Sequence, residues 1–140
     1  MIFLDTNVLS ELMLPRPNRV VIRWLDNQPR QSVWITSVTL FEVELGLALM
    51  AYGKRRNGLT SAFARLIEDR IDRRIVVFDA NSAKLAAEFG AERQRRGQAS
   101  ELRDTMIAGI AQAQRATLAT RNIRHFDDLS TPVVNPWDPQ

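Results

Sequence analysis

Three carboxylates stand where an α/β chain tends to do chemistry. Asp5 ends the apolar run Ile2-Phe3-Leu4 and is followed by Thr6-Asn7-Val8-Leu9. An acid at the carboxyl end of a strand opens into the crevice where α/β folds bind ligands, although Asp and Asn are also common helix N-caps. On a helical wheel from Val38 to Leu49, the residues Val38, Phe41, Leu45 and Leu49 make one apolar stripe, and Glu42 falls inside it. A bare carboxylate buried there is expensive, so it must be protonated, paired or bound to metal. Asp104 lines up with Ile107, Ala108 and Ala111 near a helix start, a place where the helix dipole alone also favours an acid. Taken together, the three acids can converge on one edge of a sheet. Hard oxygen ligands without His or Cys suit Mg²⁺ or Mn²⁺.

The elements that must carry these acids alternate in type. Met1–Leu4 reads as a short buried strand and Asn7 to about Met13 as a short helix. Pro15-Arg16-Pro17 breaks the chain before a helix that runs to about Asn27. Val33–Ile35 is a second strand, followed by a helix from Ser37 to about Ala51. Gly53 and Gly58 flank a basic turn, and an amphipathic helix then runs to about Ile71. Ile75–Phe78 is a third strand, and Asp79 or Asn81 caps a long helix ending at Gly97. A polar linker leads to a helix of about Leu102–Arg115, a fourth strand at Thr117–Ala119 and a fifth near Val133-Val134. Strands alternating with helices imply a parallel sheet of four to five strands covered on both faces. No linker divides the chain, so residues 1–140 read as a single domain.

Composition bounds the function. With 45% hydrophobic and 25% charged residues the chain reads as an ordinary soluble globule. No apolar run approaches the roughly 18 residues that span a bilayer, and so little sequence precedes the first strand that no signal peptide is expected. Zero cysteines excludes disulfides, thiolate zinc sites and cysteine nucleophiles, and fits a reducing cytoplasm. The net charge is only +3, yet the basic residues are nearly all Arg, with Lys only at positions 54 and 84. Clusters fall at Lys54-Arg55-Arg56, Arg73-Arg74 and Arg93-Gln94-Arg95-Arg96. Arginine's planar fork suits bidentate phosphate contacts. A basic surface around an acidic pocket is what a phosphodiester-cleaving enzyme needs; each cluster also reads as a solvated helix face.

Four segments, in order, carry a family resemblance. They are Leu4-Asp5-Thr6-Asn7-Val8-Leu9-Ser10-Glu11, Glu42 within Thr39–Gly46, Asp104 within Arg103–Ala111, and Ala119-Thr120-Arg121-Asn122-Ile123-Arg124-His125-Phe126. These resemble the ordered motifs of the PIN domain, and the closing Asn135-Pro136-Trp137 is similar to the tail of its VapC/FitB-type toxin branch. The resemblance covers essentially the whole chain. It implies a metal-dependent ribonuclease toxin of a toxin–antitoxin pair, acting on RNA, dimeric, and held inactive by a cognate antitoxin. It also implies that Asp5, Glu42 and Asp104 are the acidic metal ligands, with Thr6 and Asn7 positioning the first. Many relatives carry a fourth acid where this chain has Asn122. Asn can coordinate Mg²⁺ through its carbonyl or hold a water, so Asn122 is kept in the site as an uncharged member, and metal affinity is what the change puts in doubt.

Other residues read more plainly. Glu44 points elsewhere on its helix, and Asp79 belongs to a cap. Glu11, on the same helical side as Asn7, is a candidate for supporting the site from behind. His125, the only histidine, has no zinc set or nucleophile near it in sequence. Asp127 and Asp128 read as solvated turn residues, and Trp24, Trp34 and Trp137 as core or interface. Arg121, beside the site, could contact a phosphate. Two rivals come from other classes. A receiver-type phosphoacceptor domain would want an acidic pair near the first strand and a late Lys, and this chain has neither. A non-catalytic nucleic-acid- or partner-binding module would keep the Arg clusters and need no buried acids.

Overall fold

Short apolar runs separated by helices leave each strand to be covered on both sides. β1 (Ile2–Leu4), β2 (Val33–Thr36), β3 (Ile75–Val76), β4 (Thr117–Ala119) and β5 (Val133–Val134) form one sheet in the computed structural model, which describes residues 1–98 and 100–139. The strand order is β3-β2-β1-β4-β5, and every pairing is parallel. In register, Phe3 lies between Trp34 and Leu118. Alternation along the strands sends Phe3 and Leu118 to one face, where they pack with Ile107, Ile110 and Phe126. Leu4, Ile35 and Ala119 face the other side, among Val8, Val21 and Leu25. Burial on both faces is why these strands read as continuous apolar runs rather than as alternating ones.

Six α-helices clothe the sheet: α1 (Thr6–Leu12), α2 (Arg19–Asp26), α3 (Ser37–Leu49), α4 (Lys54–Arg65), α5 (Ala80–Arg95) and α6 (Leu102–Gln114). Side-chain caps set several of their starts. Asp5 accepts from the Thr6 N–H, Thr36 from the Thr39 N–H, and Asp79 from the Ser82 N–H. The α5–α6 pair is brought together by Gly109. A Cβ there would stand 2.5 Å from the Ser82 carbonyl oxygen and 2.7 Å from the Ala86 Cβ, so only glycine permits the approach. That contact fixes the tilt of α6, and with it Asp104 in the first turn.

The sequence reading needs three corrections here. Lys54-Arg55-Arg56 forms the first turn of α4, with Gly58 inside the helix, instead of a turn between two glycines. After α4 the backbone widens into a π-helical turn, Leu66–Arg70, and is stopped by Asp72 and Arg73, both at positive φ. β3 ends two residues early: Val77 is exposed and the Phe78 N–H donates to the Ser37 hydroxyl at 3.0 Å, outside the ladder. Among the described residues no helix is long and apolar enough to cross a membrane.

Candidate active site

From β1 the chain builds β2 and β3 on one side of the sheet and β4 and β5 on the other. The carboxyl ends of β1 and β4 therefore bound the crevice at the switch point of the sheet. Asp5 follows β1 and Thr120 follows β4. The Thr120 hydroxyl donates to Asp5 Oδ2 at 2.7 Å. The Thr120 hydroxyl oxygen itself accepts from the Asn122 N–H at 3.1 Å and from the Asn7 amide at 3.2 Å. Asn7 also reaches Asp5 Oδ2 at 3.4 Å, while its own carbonyl oxygen takes the Arg121 N–H at 3.1 Å. Asp5 Oδ1 accepts the Thr6 N–H at 2.8 Å. The expected supporting roles of Thr6 and Asn7 thus have a geometric basis, and Asp5 is held with only 5% of its surface exposed.

The second acid comes from α3. Thr6 donates its hydroxyl to Glu42 Oε1 at 2.8 Å, and Arg103 Nη1 lies 3.7 Å from Oε2. The third acid, Asp104 of α6, has its Oδ2 3.0 Å from His125 Nδ1. Burial is the main cause that pushes all three carboxyls above the ordinary carboxylate range. Hydrogen bonds from Thr120 and Thr6 pull Asp5 back, and the Thr6 bond and Arg103 pull Glu42 back. His125 does the same for Asp104. The acids also raise one another: the charge of Asp104 acts on Asp5, and those of Asp5 and Asp104 act on Glu42. Like charges that feel each other across one crevice are what a cation offsets.

A divalent ion fits this donor set in chemistry, since three hard carboxylate oxygens suit Mg²⁺ or Mn²⁺. As placed, no group of three acidic or histidine side chains among the described residues is close enough to hold an ion directly. Ligation through water, common for Mg²⁺, accommodates that wider spacing.

Several candidate residues take positions that the sequence did not indicate. Of the stripe proposed to bury Glu42, only Val38 is buried; Leu45 is half-buried, and Phe41 at 55% and Leu49 at 77% are exposed. Beyond Val38, α3 buries Thr39, Val43 and Leu47, which lie outside that stripe. The helix is apolar nearly all round, so a wheel cannot assign its inner face, and Glu42 sits half-buried at the edge of the site. Asn122 is exposed at the rim and adjoins the cluster through its backbone N–H; its amide makes no hydrogen bond among the described residues. Glu11 accepts from the Asn18 N–H at 3.0 Å, which ties it to the start of α2 and away from the acids. Glu44 is exposed and Asp79 is a cap, as read.

His125 was passed over because its partner is 21 residues away in sequence and only the fold joins them. Asp128 was read as solvated, yet Arg93 holds it from both sides of the carboxylate at 2.7 and 2.8 Å, and this keeps its carboxyl below the usual range. Several arginines of the basic clusters are structural. Arg93 is 4% exposed. Arg74 donates to the Val33, Arg30 and Arg70 carbonyls. Arg73 pairs with Glu68, and Arg95 with Glu92. Arg121 stacks 4.8 Å over the Trp137 ring at the site's margin.

The PIN domain model matches residues 2–131 of this chain. Toxin FitB of Neisseria gonorrhoeae is 35% identical over 137 residues, covering 98% of this chain and 99% of that protein. VapC ribonuclease Y4jK of Sinorhizobium fredii is 32% identical over 139 residues, 99% of each. Among solved structures, FitAB bound to an IR36 DNA fragment superposes with a TM-score of 0.88 at 34% identity, across 100% of this chain and 98% of that one.

Proposed function

The chain belongs to the PIN-domain family, and from that premise we propose that it is a divalent-metal-dependent endoribonuclease, the toxin of a toxin–antitoxin pair. What supports the reading is that Asp5, Glu42 and Asp104 border one crevice, each raised by burial and Asp5 and Glu42 also by the charge of the other acids. A solvated surface gives no reason for such an arrangement, and a purely binding module does not need it.

Asp5, Glu42 and Asp104 would hold the ion, Mg²⁺ or Mn²⁺, largely through water, with Asn122 at the rim as an uncharged donor. When bound there, such an ion would supply Lewis-acid chemistry, activating a water and offsetting charge that develops on a phosphate. The chain's own part is to fix the carboxylates. Thr120 and Asn7 orient Asp5, Thr6 orients Glu42, and His125 holds Asp104 by a contact that fixes its rotamer. Arg103 partly offsets the charge of Glu42. Residues 1–140 act as one domain in this reading, in the cytoplasm. The partners are RNA, a second copy of the chain, and a cognate antitoxin whose basic group reaches the acids.

Cleavage of RNA by the purified chain in Mg²⁺ or Mn²⁺, set against the same reaction in EDTA, tests the reading. We expect cleavage with metal and none in EDTA; cleavage undiminished by EDTA would overturn it.

A further inference from the structure

A second polar feature opens beside Asp104, with Asp5 and Glu42 outside its lining. It is a cavity of about 630 Å³ lined by Arg96, Ser100, Asp104, Arg124, His125 and Asp128, among others. Its floor is built with unusual completeness for a surface loop. Arg93 uses all three guanidinium nitrogens there. Nε and Nη2 grip the two oxygens of Asp128, and Nη2 also reaches the His125 carbonyl at 3.1 Å. Nη1 reaches the Ser100 and Thr105 hydroxyls at 3.3 and 3.2 Å. One buried side chain thus ties α5, the first turn of α6 and the 3-10 turn Ile123–Phe126 together. A buried charge is tolerated only when paired and fully hydrogen-bonded, and here the pairing stiffens the wall that carries His125 and Arg124.

The charges left over face outward. Asp128 is neutralised by Arg93, and Glu101 is drawn to Arg103 at 3.3 Å. Arg124 has no partner among the described residues, and Arg96 makes only a 3.3 Å contact to the already paired Asp128. Two guanidinium groups, a hydroxyl and the outer edge of an imidazole therefore border a stiff polar cleft whose one end is Asp104. Asp127 and the Arg103-paired Glu101 are the exposed acids of the lining.

We propose that this cleft is a subsite for the RNA nucleotide adjoining the scissile phosphate, with Arg124 and Arg96 on its phosphodiester oxygens. The proposal rests on the ribonuclease reading above. An arginine fork matches a phosphate in two-point geometry, and the polar wall suits a ribose better than an apolar side chain. A basic peptide, the chemistry expected to seek the acid cluster, would meet two cations here, Arg124 and Arg96.

The test is anisotropy of a fluorescein-labelled single-stranded RNA of mixed sequence, titrated with the full chain in EDTA over a series of salt concentrations. Arg124→Gln and Arg96→Gln should each weaken binding and lower the slope of log K against log salt by about 0.7, the single-strand value for one lost phosphate contact. Arg23→Gln, an exposed arginine on α2, should leave the slope as in the wild type. An unchanged slope in Arg124→Gln, or an equal drop in Arg23→Gln, overturns the subsite. So does wild-type preference for an arginine-rich peptide that competes RNA away and is lost in the same variants. If the slopes behave as expected but added Mg²⁺ or Mn²⁺ yields no cleavage, the ribonuclease reading fails while the binding cleft stands.

Discussion

Thr120 and Asp5 lie 115 residues apart and are joined by a 2.7 Å hydrogen bond, with the Thr120 hydroxyl donating and its lone pairs taken by Asn7 and Asn122. That single oxygen connects the ends of β1 and β4 with the helix that follows β1. It orients one carboxylate oxygen and leaves Asp5 almost without freedom to rotate.

Replacing Thr120 with Val keeps the shape and removes the donor. Groups that orient a metal ligand typically cost ~10- to 100-fold in metal affinity or activity when lost. We expect Thr120→Val to weaken Mn²⁺ binding within that range while circular dichroism stays that of the wild type. Unaltered affinity would show that Asp5 does not need the bond.

The raised carboxyls have a consequence for stability in the absence of metal. A carboxyl raised in the folded state is harder to ionise there than in the unfolded chain, so stability is lost as pH climbs through the folded value and regained as pH falls. Burial is the main cause for Asp5, with Asp104 adding to it. In EDTA at pH 7, Asp5→Asn should melt above the wild type, and the gap should close as the pH drops into the carboxylate range. Asp128 works in the opposite direction. Held low by Arg93, it contributes stability above the ordinary carboxylate value and loses it in acid. Below that value Asp5→Asn and wild type should therefore fall together. A gap that widens in acid would contradict the assignment.

How much of this was legible beforehand differs by residue. Asp5 and the β4 limits, Thr117–Ala119, could be read directly, because a strand end and a fully buried strand leave local marks. The caps at Thr36 and Asp79 are also local, and Asp79 was read as one. Glu42 was selected as a site residue, but only Val38 of the stripe used to select it is buried; α3 has so few polar residues that periodicity carries no direction. The Arg93–Asp128 pair and the His125–Asp104 contact span 35 and 21 residues. The first needs α5, and the second α6, packed beside the segment that follows β4, and no local pattern encodes either contact.

Asn122 stands exposed at the rim with its amide unused among the described residues, next to the hydroxyl that steadies Asp5. A carboxylate there would bring a charge within reach of a bound ion, directly or through water. We expect Asn122→Asp to bind Mn²⁺ more tightly, read as loss of the free Mn²⁺ signal in electron paramagnetic resonance, without abolishing cleavage. The wild type should be active at lower Mn²⁺ than Mg²⁺, since Mn²⁺ has the higher affinity for mixed carboxylate and amide oxygens. Equal Mn²⁺ binding by the variant would place Asn122 outside the metal's surroundings.

The central claim is that Asp5, Glu42 and Asp104 share one cation. Calorimetric titration of Mn²⁺ into the wild type and into Asp5→Asn, Glu42→Gln and Asp104→Asn measures it most directly. The account predicts saturable binding in the wild type, weakened in each single variant, with the three variants folded. Binding that survives all three substitutions unchanged would contradict it.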